Sequence, residues 1–228
     1  MKTGGEYRRL TNKVRALSAG LLATLILALW GAGGEVPTAA DGAVTIVVDP
    51  GHGGADGGAV SDGGVQEAGL NLTVAKLLKA QLEELGMAVI MTREDDNALA
   101  STKKADMAAR RSIMNRAGVD GVVSIHMNKF GDCAVHGPMA FYMEGSEEGE
   151  KLARAVIDSV TSAIGAPPRP PNPGDYYVIR ESEPVAVLVE CGFLSNSADV
   201  QLLCDPAHQA VLAKAIAQGV YSYFNMLD

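Results

Sequence analysis

The segment Pro184–Glu190 limits the possible folds of this chain more than any other segment does. Its central residues, VAVLV, would be apolar on both faces of an extended strand. A strand with no polar face needs cover on both sides, which a parallel sheet between two layers of helices provides. Other short apolar runs occur at Val44–Val48, Met87–Thr92 and Val119–Ile125, and segments with helical spacing separate them. This alternation predicts an α/β domain with an open, mainly parallel twisted sheet and helices on both faces.

Helical spacing and stop signals place the helices of this domain. Helices are expected from Leu70 to Gly86, over Lys103–Ala117, over Glu147–Ile164, near 197–204 and over 206–224, with an added strand at Pro138–Met143. The segment Ala166–Asp175 has five prolines in ten residues and can form neither a helix nor a central strand. We expect it to be a surface connection, or a rim that faces the substrate.

Residues 1–43 are expected to form a unit separate from the domain at 44–228. Five basic residues precede an uncharged run from Ala16 to Gly34, which is the layout of a secretion signal. The run is also long enough to span a bilayer, so a cleaved signal peptide and a retained membrane anchor both fit. Either interpretation predicts that the domain is exported, and an anchor would make the membrane one of its partners.

Charge and cysteine content exclude two classes of protein. The chain has 27 acidic and 19 basic residues, and five of the basic ones lie before residue 44, so the domain is strongly acidic. An acidic domain is unsuited to coating nucleic acid. Its cysteines, Cys133, Cys191 and Cys204, have no metal-ligand spacing, and their odd number does not suit a disulfide framework.

Residues with catalytic chemistry follow the predicted strands. His52 follows the first strand, His126 follows the third, and Glu190 ends Pro184–Glu190. Glu67 opens the helix that comes after a glycine-rich loop at 51–64. Because sites in open α/β sheets collect at the carboxyl ends of the strands, we expect these four residues at one edge.

Taken singly, three of these residues have ordinary explanations. His52 suits a turn, His126 suits a hydrogen-bonded core position, and Glu67 suits the first turn of a helix. Burying Glu190 at the end of an apolar strand costs on the order of several kcal/mol unless it has a partner or a nearby cation. Together, two imidazoles and one carboxylate are a ligand set for zinc that leaves a position for water, and a second carboxylate can accept a proton from that water.

Other kinds of site fit less well. Asp56 stands where a dinucleotide-binding fingerprint needs its third glycine, and the chain has no G-x-S-x-G motif. A P-loop requires a lysine, and the glycine-rich loop has none. A thiol hydrolase built on Cys133 and His136 is an alternative, although two residues do not make a triad.

Four blocks of sequence, in order, resemble those of zinc-dependent N-acetylmuramoyl-L-alanine amidases. They are DPGHGG at 49–54, Glu67 with Asn71, SIHMN at 124–128 and VECGFLSN at 189–196. Thr92-Arg93 and the stretch from Arg110 to Asn115 also fit, and the resemblance runs from about Val44 to the C-terminus. It implies an open α/β fold.

The resemblance implies that residues 44–228 are a zinc amidase domain that hydrolyses peptidoglycan between N-acetylmuramic acid and L-alanine. It further implies that His52, Glu67 and His126 bind Zn²⁺ and that Glu190 is the catalytic carboxylate. The layout is closest to amidases of the spore cortex, which work with a deacetylase, and an activator protein is the other expected partner. Two alternatives stay open: a non-catalytic wall-binding protein on this fold, and a zinc hydrolase of another exported amide.

Overall fold

The computed structural model describes residues 43–226, and strands and helices alternate along them. The strands are β1 (Thr45–Pro50), β2 (Ala88–Met91), β3 (Gly121–Asn128), β4 (Met139–Met143), β5 (Asn172–Gly174) and β6 (Val185–Phe193). The helices are α1 (Glu67–Glu84), α2 (Lys103–Met114), α3 (Glu147–Ile164), α4 (Tyr177–Arg180), α5 (Ser197–Leu203) and α6 (Pro206–Asn225).

All six strands form one sheet in the order β2-β1-β3-β6-β4-β5. The four strands from β2 to β6 are parallel to one another, whereas β4 runs antiparallel to β6 and parallel to β5. The predicted open and mainly parallel sheet is therefore confirmed. Its carboxyl-end edge carries the ends of β1, β3 and β6 side by side.

Helices cover both faces of the sheet. On one face Leu78 of α1, Val156 of α3 and Ile216 of α6 belong to the larger core and are fully buried. On the other face Met114 of α2 and Val178 of α4 belong to a second, smaller core with residues from β1, β3 and β6. This double cover explains why the central strands have no polar face, and it confirms the prediction of two helical layers.

Two details of the sheet differ from the expectation. Strand β6 continues to Phe193, so Glu190 lies inside the strand and pairs with His126 of β3. The register shifts between His126 and Asn128, which lets both strands run on past the site. The segment Ala166–Asp175, expected to be a surface connection or a substrate-facing rim, contains β5, which a proline can join because β5 is an edge strand.

The expected signal peptide or anchor lies outside the described residues, apart from Ala43. Across residues 43–226, none of the helices combines the length and the apolar character that crossing a membrane requires.

A buried ion pair connects the end of β1 to α2. Arg110 Nη1 lies 2.7 Å from Asp49 Oδ1, and the two side chains are 2% and 0% exposed. Thr92 and Ser124, from the strands on either side of β1, each donate a hydrogen bond of 2.7 Å to the same carboxylate. Burial opposes ionisation of Asp49, but Arg110 and these hydroxyls outweigh it and hold its pKa below the usual range. Asp106 binds the other side of Arg110, with 2.8 Å between Oδ2 and Nε.

We predict that Arg110→Met lowers the free energy of unfolding by about 3–5 kcal/mol, because it leaves the Asp49 carboxylate buried without its cation. Urea denaturation monitored by circular dichroism measures the change. The matched control is Arg116→Met, which removes an exposed arginine and should alter stability by less than about 0.5 kcal/mol. Equal effects of the two substitutions would contradict a structural role for the pair.

Candidate metal centre and active site

His52, Glu67 and His126 meet at the carboxyl-end edge of the sheet. Each offers a ligand atom, and these atoms lie within 4.8 Å of one another. His52 Nε2 is 3.1 Å from Glu67 Oε2, and His126 Nδ1 is 2.8 Å from Glu67 Oε1. Within residues 43–226 this is the only group of three or more His, Cys, Asp or Glu side chains close enough to hold a metal ion.

Glu67 is held in place by donors other than the two imidazoles. The backbone N–H of Ala59 donates to Oε2 at 2.8 Å, and Asn71 Nδ2, one helical turn away in α1, donates to Oε1 at 3.0 Å. Burial opposes ionisation, but the hydrogen bonds with His126 and His52 outweigh it, so the pKa of Glu67 lies well below its usual range. Glu67 is therefore a fixed anion between two imidazoles.

Two buried arginines shape the turn that presents His52. Arg93 donates to the carbonyls of Pro50 and Gly51 at 3.0 and 2.9 Å. Arg110 donates to the carbonyls of Pro50 and His52. His52 itself has a φ of 61°, a left-handed conformation that is uncommon outside glycine. The guanidinium groups satisfy carbonyls that this turn would otherwise bury without partners.

Two glycines make room for the cluster. A Cβ at Gly51 would lie 2.1 Å from Cε1 of His126, so the backbone of β1 can approach that ring only without a side chain. A Cβ at Gly58 would lie 2.5 Å from Oε2 of Glu67, and the φ of Gly58 is 69°. The loop therefore needs glycine at both positions for reasons of space.

Glu190 lies beside the cluster as the cross-strand partner of His126, and it is 7% exposed. Burial, together with the charge of Glu67, raises the pKa of Glu190 to about 7, although His126 and His52 act in the opposite direction. Its Oε2 atom is buried and has no hydrogen-bond partner among residues 43–226. Such a carboxyl group can take up or release a proton near neutral pH.

A cavity of about 390 Å³ opens over the cluster. The four predicted site residues line it, and its rim includes Lys103, Lys129, Tyr176 and Tyr177. The ring of Tyr176 packs against Phe141 with 5.0 Å between centroids. Tyr176 comes directly after the proline-rich segment Ala166–Asp175 in the sequence, so this segment leads into the wall of the cavity.

The residues present suit a zinc ion. Two imidazoles and one ionised carboxylate are a three-ligand set that leaves a position for water or substrate. Glu190 Oε2 is buried beside these residues without a hydrogen-bond partner among the described residues, as in a site that a bound ion and water complete. The thiol of Cys191 lies in the core, and burial raises its pKa, which leaves it unreactive.

Sequence reasoning missed one residue of this site, Asp56. Its Oδ1 lies 3.0 Å from His52 Nδ1, and its Oδ2 lies 2.6 Å from Lys103 Nζ. Burial opposes ionisation, but the hydrogen bonds with Lys103 and His52 lower the pKa of Asp56 to about 2. In the sequence, Asp56 is an acidic residue four positions after His52 in the glycine-rich loop. It was interpreted there as evidence against a dinucleotide-binding fingerprint and not as part of a metal site.

Comparison with known proteins agrees with this geometry. The family model described as "Amidase_3: N-acetylmuramoyl-L-alanine amidase" matches residues 46–222. The germination-specific N-acetylmuramoyl-L-alanine amidase of Bacillus subtilis is 36% identical over 189 residues, which cover 78% of this chain and 79% of that protein.

Two solved structures have the same fold over 80% of the chain. The CwlD amidase of Clostridioides difficile, in complex with the GerS lipoprotein, aligns with a TM-score of 0.76 and 30% identity over 99% of its chain. An N-acetylmuramoyl-L-alanine amidase of Clostridium difficile 630 aligns with a TM-score of 0.74 and 33% identity over 97% of its chain. With the family match over most of its length and these relatives, the chain belongs to the N-acetylmuramoyl-L-alanine amidases, which are hydrolases of peptidoglycan.

Proposed function

We propose that His52, Glu67 and His126 bind Zn²⁺ and that Glu190 carries the protons in the reaction of this amidase. The reaction is hydrolysis of the amide bond between N-acetylmuramic acid and L-alanine in peptidoglycan. The observation that carries the proposal is the buried Glu190 carboxylate, whose Oε2 has no partner among the described residues, beside a His/Glu/His group that can hold a metal.

The proposed site residues have separate roles in this mechanism. Zinc, when bound, lowers the pKa of a water molecule and polarises the scissile carbonyl. Glu67, an anion fixed by Ala59 and Asn71, balances the charge of the site. Glu190 accepts a proton from the attacking water on its carboxylate and later donates it to the leaving amine. Burial raises the pKa of Glu190 and so favours uptake of a proton by its carboxylate.

We predict that alanine at His52, Glu67 or His126 lowers the zinc content toward zero and lowers activity together with it, because each change removes a ligand. The loss should exceed the roughly 10–100-fold that a change outside the ligands costs. Elemental analysis and turnover of a muropeptide read out the two effects. His136→Ala removes an exposed histidine and serves as the control. Loss of activity with zinc retained in this control would point back to the Cys133/His136 alternative, a thiol hydrolase.

Glu190→Gln keeps the shape of the side chain and removes its basicity, so it should retain zinc and lose roughly 10²–10⁴-fold in kcat. Glu83→Gln, on the exposed side of α1, is the matched control and should leave both quantities unchanged. The roles of the two glutamates would be exchanged if Glu190→Gln lost its zinc while Glu67→Ala kept it. Near-normal activity of Glu190→Gln would rule out this mechanism.

The relatives support a role in the spore cortex and a protein partner. The Bacillus subtilis relative is named for germination, and the Clostridioides difficile structure was solved with a lipoprotein bound. We infer that this chain acts on cortex peptidoglycan and is assisted by an activator protein at the membrane surface. The deacetylase partner implied by the resemblance stays a prediction. Mass spectrometry of the products from isolated cortex, compared with vegetative cell wall, tests the choice of substrate.

We also propose that residues 1–43 direct export and take no part in catalysis, because five basic residues precede an uncharged run from Ala16 to Gly34 in that segment. A chain that begins at Ala43 should be soluble, bind zinc and keep the kcat of the full chain on a soluble muropeptide. Sequencing the N-terminus of the mature protein distinguishes a cleaved signal from a retained anchor. An insoluble or zinc-free product would show that the segment is needed for folding.

A further inference from the structure

We infer that Asp56 is a positioning residue that fixes the orientation and the tautomer of the His52 ring, so that Nε2 is free to bind the metal. This inference rests on the proposed metal site. It adds to that site a residue that is not one of the three proposed ligands and that acts through His52.

The two nitrogens of the His52 ring face different carboxylates. Nε2 points into the cluster, 3.1 Å from Glu67 Oε2, whereas Nδ1 points away from it and lies 3.0 Å from Asp56 Oδ1. Nδ1 is buried, and Asp56 Oδ1 lies within reach of it although the two atoms are not aligned for a hydrogen bond in this structure. Asp56 is therefore the acceptor available to the outward nitrogen.

A neutral imidazole carries one ring proton, and the nitrogen without it is the metal ligand. A carboxylate beside Nδ1 stabilises the tautomer with its proton on Nδ1, which leaves the lone pair of Nε2 directed at the cluster. Histidine ligands in metalloproteins commonly donate their second nitrogen to a carboxylate in this way.

The carboxylate of Asp56 is itself held by two further donors. Lys103 Nζ, at the start of α2, lies 2.6 Å from Oδ2. The N–H of Gly58 donates to Oδ1 at 3.2 Å. Backbone hydrogen bonds of 2.9 and 3.1 Å join Asp56 to Gly53, so the main chain of the loop is fixed without the side chain.

This independent support makes the inference testable by removing the side chain alone. Because the backbone bonds between Asp56 and Gly53 persist in Asp56→Ala, the loop should keep its fold while the His52 ring loses its restraint. The expected result is a rise of about 10–100-fold in the dissociation constant for zinc. Asp56→Asn keeps an acceptor oxygen and loses the charge, so its dissociation constant should lie between those of the wild type and Asp56→Ala.

The experiment measures zinc binding by competition with a chromophoric chelator in the full chain, and melting temperature in the presence of excess EDTA. Asp62→Ala and Asp62→Asn make the same changes at an exposed acid of the same loop, and their zinc affinity should stay within about twofold of wild type. In zinc-loaded wild-type protein, ¹⁵N NMR should show His52 with its proton on Nδ1. At saturating zinc, Asp56→Ala should recover most of its kcat, since Asp56 touches no reacting atom.

Three results would overturn the inference. One is an Asp56→Ala variant that binds zinc as tightly as Asp62→Ala. The second is a fall in the melting temperature in EDTA that accounts for the weaker binding, with no recovery in Asp56→Asn, because that pattern belongs to a folding role. The third is a wild-type protein that binds no zinc, which overturns the proposed metal site as well. If the wild type binds zinc, His52→Ala loses it and Asp56→Ala keeps it, the proposed metal site stands and only the inference about Asp56 is refuted.

Discussion

The buried ion pair between Asp49 and Arg110 is the interaction on which the candidate site depends. Asp49 ends the run of apolar residues in β1, where an unpaired carboxylate would be costly, and Arg110 supplies its cation from α2. The same guanidinium binds the carbonyls of Pro50 and His52. One side chain therefore joins the sheet to a helix and also sets the path of the turn that presents His52. The stability of the fold and the geometry of the site therefore both depend on Arg110.

The site is assembled from three elements that the fold fixes separately. A turn after β1 supplies His52, the first residue of α1 supplies Glu67, and the paired strands β3 and β6 supply His126 and Glu190. Because His126 and Glu190 are cross-strand partners, their spacing is set by backbone hydrogen bonds. This arrangement places the residue proposed to move protons in a central strand of the sheet, while the glycine-rich loop supplies His52.

The sequence predicted the sheet class and the four residues that meet at its edge. Apolar strands and helical spacing are local signals, and parallel strands align their carboxyl ends, so the meeting of His52, His126 and Glu190 follows from the pattern. The role of Asp56 could not be predicted in this way, because it depends on how the loop folds back from Gly53. Nor could α4, whose four residues are too few to show periodicity. Past Glu190, β6 has one more residue than β3 between the pairs His126–Glu190 and Asn128–Phe193, and no local sequence pattern predicts this irregularity.

At residue 52, folding and metal binding make opposite demands on the chain. A left-handed backbone costs an L-amino acid about 1–2 kcal/mol, which glycine would avoid. Glycine has no imidazole, however, so the most favourable residue for the turn is one that cannot bind zinc. Selection for thermal stability alone would therefore favour loss of the ligand. A histidine at this position fits the proposed metal site, and the buried arginines Arg93 and Arg110 hold the strained turn in place.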